Sequence, residues 1–212
     1  KAFTLTELMV TLAVAGVLAM MVTPFSDIVR KNRNSSLIQE FVTTMKYARS
    51  EAIKRGGTVT ICRRMAPESV GEEECDTSVS GTTGSWSNGW IVFIDTDGNG
   101  GPGEGSIRNS TTIVGTGNPA AVNDDDEILR MHGPISSDYT FEQDNITTLQ
   151  SINYLASGLA PGTEATWTLC DPTRNPKYAH GVIRTFNGRV RMAEDSDGNG
   201  IREGGAGDLN CS

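Results

Sequence analysis

Phe3-Thr4-Leu5-Thr6-Glu7-Leu8-Met9-Val10-Thr11-Leu12-Ala13-Val14-Ala15-Gly16-Val17-Leu18-Ala19-Met20-Met21-Val22-Thr23-Pro24 lies near the start of the chain and carries one charge, Glu7. About twenty apolar residues suffice to cross a bilayer as a helix, so the run predicts a membrane-spanning helix over residues 3–25. A cleaved secretory signal would show basic residues, a short apolar core and a small-residue cleavage site in that order. No such site ends this run, and the chain continues past Pro24 in a polar pattern that is still helical. An ionised carboxylate inside a bilayer costs about 2.5–3.5 kcal/mol on insertion scales. Glu7 either reaches the headgroups from near the helix end or faces a positive group on a neighbouring subunit, the sharper of the two expectations.

Working outward, residues 26–55 place Leu37, Ile38, Phe41, Met45, Ala48 and Ala52 at steps of three or four, with Lys46, Arg49, Glu51, Lys54 and Arg55 between them. That spacing predicts an amphipathic continuation of the helix over 26–56 with one buried face, stopped by Gly56-Gly57. At 1.5 Å per residue a helix from Phe3 to Arg55 would extend roughly 80 Å, far beyond an ordinary globular helix. Half of it must pack on something outside its own chain.

Past Gly57 the period changes. Thr58–Cys62 alternates, Trp90–Ile94 is a continuous apolar run, and Glu127–Met131, Ser151–Leu155, Ala165–Cys170 and Gly181–Met192 are further strand candidates. Runs of this kind, divided by Gly, Asn and Asp clusters, predict antiparallel strands, and Asn187-Gly188 predicts a type I′ hairpin. Residues 57–212 are thus expected to form one β-rich domain, and the whole an α+β fold: a long N-terminal helix packed on a mainly antiparallel sheet. Residues 65–88 and 97–126 are poor in apolar side chains and predict surface loops or partly disordered segments.

The 212 residues have a net charge of −8 and a sequence pI near 4.8. Residues 1–64 carry ten Lys and Arg against four Asp and Glu, whereas residues 65–212 carry eight against twenty-two. This excludes a uniformly basic nucleic-acid coat and leaves local basic surfaces open. Cys62, Cys75, Cys170 and Cys211 form no C-x-x-C pair and have no ligand spacing with His132 or His180, so disulfides in an oxidising compartment fit better than zinc. Of three pairings, Cys62 with Cys75 would close a short acidic loop and Cys170 with Cys211 would tie down a tail with almost no apolar anchor.

The segment Phe3-Thr4-Leu5-Thr6-Glu7-Leu8-Met9, the apolar run and Pro24, in that order, resemble the N-terminus of type IV pilins and type II secretion pseudopilins. The resemblance implies that a prepilin peptidase cuts between Ala2 and Phe3 and methylates the new amine. Residues 1–2, Lys1-Ala2, would then be a residual leader. Glu7 would neutralise the N-terminal amine of an adjacent subunit, and Pro24 would mark a kink. The sequence departs from the pattern in Ala2, where the family has Gly, and in Thr6, where Ile is usual. The order of the later segments is similar to GspH/FimT minor pilins: Ala48-Arg49-Ser50-Glu51-Ala52-Ile53, Val59-Thr60-Ile61-Cys62, Gly89-Trp90-Ile91-Val92-Phe93-Ile94-Asp95, Glu127-Ile128-Leu129-Arg130 and Gly188-Arg189-Val190-Arg191. This likeness implies a pilin-like fold, other major and minor pilins as partners, a bacterial inner-membrane anchor with a periplasmic domain, and a place in a surface filament.

Two segments share the first half of a calcium loop, Asp95-Thr96-Asp97-Gly98-Asn99-Gly100 and Asp195-Ser196-Asp197-Gly198-Asn199-Gly200. Both lack its final Glu, having Ser106 and Ala206 there, although Glu104 and Glu203 are near. Ordinary turn chemistry explains them as well. No cofactor is otherwise expected. No nucleophile, P-loop or metalloprotease motif is present, and an enzyme is not expected. The stretch 172–193 holds Arg174, Lys177, His180, Arg184, Arg189 and Arg191 and no acid. On a hairpin, Arg184, Arg189 and Arg191, with Lys177, could meet successive phosphates of double-stranded DNA; pairing with acids of the same domain is the competing explanation. FimT-like pilins that bind DNA carry a Gly-Arg-x-Arg motif, which residues 188–191 match. The expected function is a minor pilin of a type IV pilus, with DNA capture during uptake as the alternative and a type II secretion pseudopilin as the third reading.

Overall fold

Thr4 caps a single helix, α1 (Leu5–Arg55), of 51 residues. The structure, a computed structural model, describes residues 4–64, 75–76, 85–95, 127–144 and 151–211; of the side chains at 19–28 and 30 within α1 nothing is described. Ala2, Phe3, Asp97 and Asn99 therefore lie outside the described residues, and Pro24 is described only as part of the helical backbone. Gly56 ends α1 in the left-handed conformation (φ 70°), its N–H donating to the Ala52 carbonyl at 3.0 Å, a conformation glycine adopts without steric cost.

Seven of the eight strands fall where alternation and β-branched runs place them. Sheet one has the order β3-β2-β1-β5, built from β1 (Thr58–Arg63), β2 (Trp90–Asp95), β3 (Glu127–His132) and β5 (Ser151–Tyr154); sheet two is β4-β6-β7-β8, from β4 (Thr140–Gln143), β6 (Ala165–Cys170), β7 (His180–Arg184) and β8 (Val190–Met192). Every pairing is antiparallel. The single expected sheet is thus two, and β4 is an addition. Its four residues, Thr-Phe-Glu-Gln, are too short to alternate detectably. They are recruited by β6 and by Trp86, whose N–H donates to the Phe141 carbonyl at 2.7 Å.

The second half of α1 lies across both sheets. Ile38, Phe41, Met45, Ala48 and Ala52 are at most 1% exposed, the face that the spacing predicts. Phe41 is the centre of the core, with Trp86, Trp90, Phe141 and Trp167 around it at centroid distances of 4.8–5.7 Å, mostly edge to face, the geometry favoured by the aromatic quadrupole. Among the described residues the first half has no such cover: Leu5, Leu8, Met9, Val10, Leu12, Val14, Val17 and Leu18 are 53–76% exposed. Among the described residues no helix is long and apolar enough to cross a membrane, so the expected span over 3–25 receives no support here; the run that prompts it continues through side chains that are not described.

Both disulfides form as expected, Cys62–Cys75 and Cys170–Cys211. The tail is better anchored than its composition suggests, because Leu209 is 5% exposed and packs with Ala179, Ile183 and Ala193 on the face of sheet two away from α1.

Candidate functional site

Three surfaces carry the candidate residues. On the first, Thr4 and Glu7 close a reciprocal cap at the helix start. The Thr4 N–H donates to Glu7 Oε2 at 3.0 Å, the Thr4 hydroxyl donates to the same oxygen at 2.9 Å, and the Glu7 N–H donates to Thr4 Oγ1 at 3.3 Å. A threonine followed three residues later by glutamate satisfies two otherwise orphaned helix donors. Glu7 thus has a structural duty within its own helix while its carboxylate stays exposed beside a bare apolar surface.

The second surface is the β7–β8 hairpin. Arg189 and Arg191 are exposed and, among the described residues, form no ion pair. Arg184 does not join them. It is 1% exposed, and its guanidinium donates to the carbonyls of Ala160 (2.8 Å), Pro161 (3.4 Å) and Thr163 (2.7 Å). Burial lowers its pKa, the Tyr154 ring opposing that shift. The cross-strand register explains the misplacement: Arg184 faces Val190, which points toward the core side, while Arg191 faces Ile183. Lys177 is exposed but lies apart from the turn, its ammonium beside Gly200 of the following loop. The expected patch of four cations therefore reduces to two.

The turn is not type I′ either. Gly188 has φ 75°, and the sole non-glycine residue with positive φ among those described is Arg174, so Asn187 does not take the left-handed conformation that type I′ requires. Instead the Gly188 N–H donates to the Thr185 carbonyl (2.9 Å) and the Thr185 N–H to the Arg189 carbonyl (3.0 Å), a longer loop with its glycine at the end. Gly188 packs against the Gly158 carbonyl and the Tyr154 ring, leaving no room for a Cβ. Arg49 of α1 holds the same turn by donating to the Gly188 carbonyl at 3.3 Å. Helix periodicity marks Arg49 merely as a polar-face residue; its partner 139 positions away leaves no local signal.

The third surface is the loop after β8, where Asp195, Asp197 and Glu203 offer carboxylate oxygens within 4.8 Å of one another. Glu203, not the twelfth position, supplies the third carboxylate. These oxygens already accept from the loop's own backbone: Glu203 from Ser196 (2.8 Å) and Asp197 (3.3 Å), Asp195 from Gly198 (2.8 Å) and Gly200 (2.9 Å), Asp197 from Asn199 (2.9 Å). Donation from Ser196 lowers the Glu203 pKa most. The three carboxylates fit a calcium-like oxygen donor set, and Asn199 donates its amide to Asp197 and Asp208 rather than turning its oxygen inward. In the other candidate loop only Asp95 is described, buried at the end of β2. Elsewhere, a groove of about 220 Å³ between α1 and β3 is bridged by His132 Nε2 and Glu40 Oε2 at 3.3 Å, with His132 stacked on Trp90; nothing in it forms a nucleophile–base pair.

A long N-terminal helix whose second half is laid over antiparallel sheets places the chain in the pilin-like fold class. A model of the family described as "Type II transport protein GspH" matches residues 37–188, and the chain belongs to that family. Among solved structures the chain is similar to the type IV minor pilin FimU of Pseudomonas aeruginosa (strain PAO1) in two crystal forms. The P21 form shares 16% identity, covers 85% of this chain and 96% of that one, with a TM-score of 0.49; the P65 form shares 16%, covers 84% and 99%, with a TM-score of 0.47. No curated protein matches.

Proposed function

We propose that the chain is a minor pilin of a type IV pilus, held in the bacterial inner membrane by the first half of α1 and then transferred into the filament among other pilins. The observation that carries this reading is the exposure of Leu5 through Leu18 on a helix whose continuation buries one face, Ile38, Phe41, Met45, Ala48 and Ala52, to within 1%. Isolated exposed apolar residues are ordinary, but a contiguous bare face of this length marks an interaction surface. Apolar packing attracts without direction and cannot set an axial step. Glu7 supplies the register: once surrounded by apolar helices its carboxylate needs a counter-charge, and a wrong step leaves it unpaired at a cost of several kcal/mol. A positive group on the neighbour, the amine that a prepilin peptidase would expose and methylate at Phe3, fits that need. Glu7→Ala is expected to reach the membrane yet be absent from sheared filaments; normal incorporation of the variant overturns the pairing.

Arg189 and Arg191, exposed and without an ion pair among the described residues, favour a second reading in which the hairpin holds DNA by its phosphates. Two contacts in an acidic domain make such binding weak and salt-sensitive, with a slope near −0.9 per phosphate neutralised. Titration of the full chain with duplexes of unrelated sequence tests it: equal binding by wild type and by Arg189→Gln with Arg191→Gln removes the reading. The family's description keeps a type II secretion pseudopilin as the third place for the same subunit.

A further inference from the structure

At the end of the domain reached by the last turns of α1, four large apolar side chains stand in solvent together: Ile53 (53% exposed), Leu155 (37%), Leu159 (46%) and Phe186 (69%). Their backbones are tied into one unit. The Leu155 N–H donates to the Leu159 carbonyl (2.9 Å), the Ala160 N–H to the Phe186 carbonyl (3.3 Å), and Ile53 lies over Gly158. Arg49 and Gly188 fix the turn that carries Phe186. The backbone that carries the exposed Phe186 ring is thus tied to α1 and to the loop 155–160. Arg189 and Arg191 are exposed on the same hairpin, three and five residues beyond Phe186, so positive charge lies close along the chain to the apolar side chains.

The opposite charge lies on the same flank, lower along the helix. Glu194, Asp195, Asp197 and Asp208 are exposed on the loop after β8. That loop is joined to the level of Asn34 in α1, since Arg202 donates to the Ala179 carbonyl (2.9 Å) and Asn34 to the Tyr178 carbonyl (3.2 Å). The hairpin turn is joined to the level of Arg49, fifteen residues on, a rise of about 22 Å. The acidic loop is open at Gly198 and Gly207, where an added Cβ meets nothing within 4 Å.

We propose that the Phe186 patch is the seat of a second copy of this chain, whose acidic loop (residues 194–208) docks on it head to tail. The two surfaces differ, so the contact is heterologous and each copy keeps a free patch and a free loop, which yields an open row rather than a closed dimer. The charges set polarity and encounter, and the ring and the three aliphatic side chains supply the apolar centre. A lipid surface is a poorer occupant, because Ile53 lies roughly 50 Å along the helix from Leu18, the last bare residue described. The inference goes beyond the helix-borne assembly and does not depend on it, as Glu7→Ala leaves both surfaces intact.

The experiment places the photo-reactive p-benzoylphenylalanine at position 186 of the full chain in detergent micelles and maps the products of irradiation by mass. The expected product is a dimer joining position 186 to the peptide 194–208. Arg189→Glu with Arg191→Glu should lower its yield at least tenfold, and adding Glu194→Lys with Asp208→Lys to the same chain should restore it, which damage to the fold would not do. The proposal is overturned by products confined to detergent or lipid, by a dimer joined elsewhere, by capture of added duplex DNA in place of protein, or by charge reversal without rescue. Repeating the cross-link in the Glu7→Ala background separates the two readings: loss of filaments with retention of the dimer leaves this contact standing.

Discussion

The two halves of α1 belong to one uninterrupted helix and both carry large apolar side chains, yet the fates of those side chains are opposite. Phe41 and Met45 are fully buried, while Leu12 and Val14, just as apolar, are more than half exposed. The difference is in what surrounds them and not in helix propensity: Trp86, Trp90, Phe141 and Trp167 close over the second half, and the described residues supply nothing comparable for the first. Helical stability in proteins comes mostly from such packing. One half is therefore finished by the described part of the monomer, and the other stands bare beside it.

Substitution should break that comparison most plainly at matched apolar positions. Phe41→Ala is expected to cost about 3–5 kcal/mol of unfolding free energy, read from denaturant titration with fluorescence of the three buried tryptophans. Leu12→Ala should leave that value within about 0.5 kcal/mol and show its effect in filament incorporation instead. Equal destabilisation by both would mean that the bare half is covered in the isolated chain.

The disulfides seal the finished part, so their removal should leave the bare half untouched. The Cys170–Cys211 bridge spans 41 positions and the Cys62–Cys75 bridge 13; chain-entropy estimates are about 4 and about 3 kcal/mol. Paired serine substitutions measured by the same unfolding titration should preserve that order, with Leu209 narrowing the gap by anchoring the tail without the bridge.

Two arginines repeat the contrast at smaller scale. Arg184→Met should lose about 1–3 kcal/mol, because it leaves the Ala160 and Thr163 carbonyls without donors, whereas Arg189→Gln should be neutral in stability. A neutral Arg184→Met would show that the carbonyls find water and that the loop 160–163 is not held by the guanidinium.

The smallest effect is a titration. Tyr154 is fully enclosed, and burial raises its pKa to about 12, with Arg184 and Arg49 opposing. The folded state thus holds the phenol proton more tightly than the unfolded chain does. This contribution is intact below pH about 10 and is lost as pH rises from there through about 12. Ultraviolet titration should show one tyrosine ionising late, and Tyr154→Phe should remove that step; ionisation without delay would mean that water reaches the ring.

Periodicity made the buried face of α1, seven strand positions and the two bridges legible, because each is a local pattern or a small set of alternatives. The division into two sheets was not legible, since β4 is four residues long and is held by partners far along the chain. Arg184 illustrates the limit at a site. Its residue type and spacing fit a phosphate contact as well as they fit a buried clasp, and only the register with Val190 decides between them. Glu203 was within view as a neighbouring acid, but its convergence with Asp195 and Asp197 depends on a fold-back that alternation does not encode.

Because α1 precedes every strand that covers it, the order of synthesis sets a problem. A chain emerging amino end first presents the face of Ile38, Phe41 and Met45 long before β6, β7 and β8 exist, and Cys170 must wait a further 41 positions for its partner, Cys211. Contacts so distant along the chain delay folding and prolong exposure of sticky surface. That face must be kept from other company until the residues of β8 and the loop beyond it have arrived, and closure of the second bridge reports that they have.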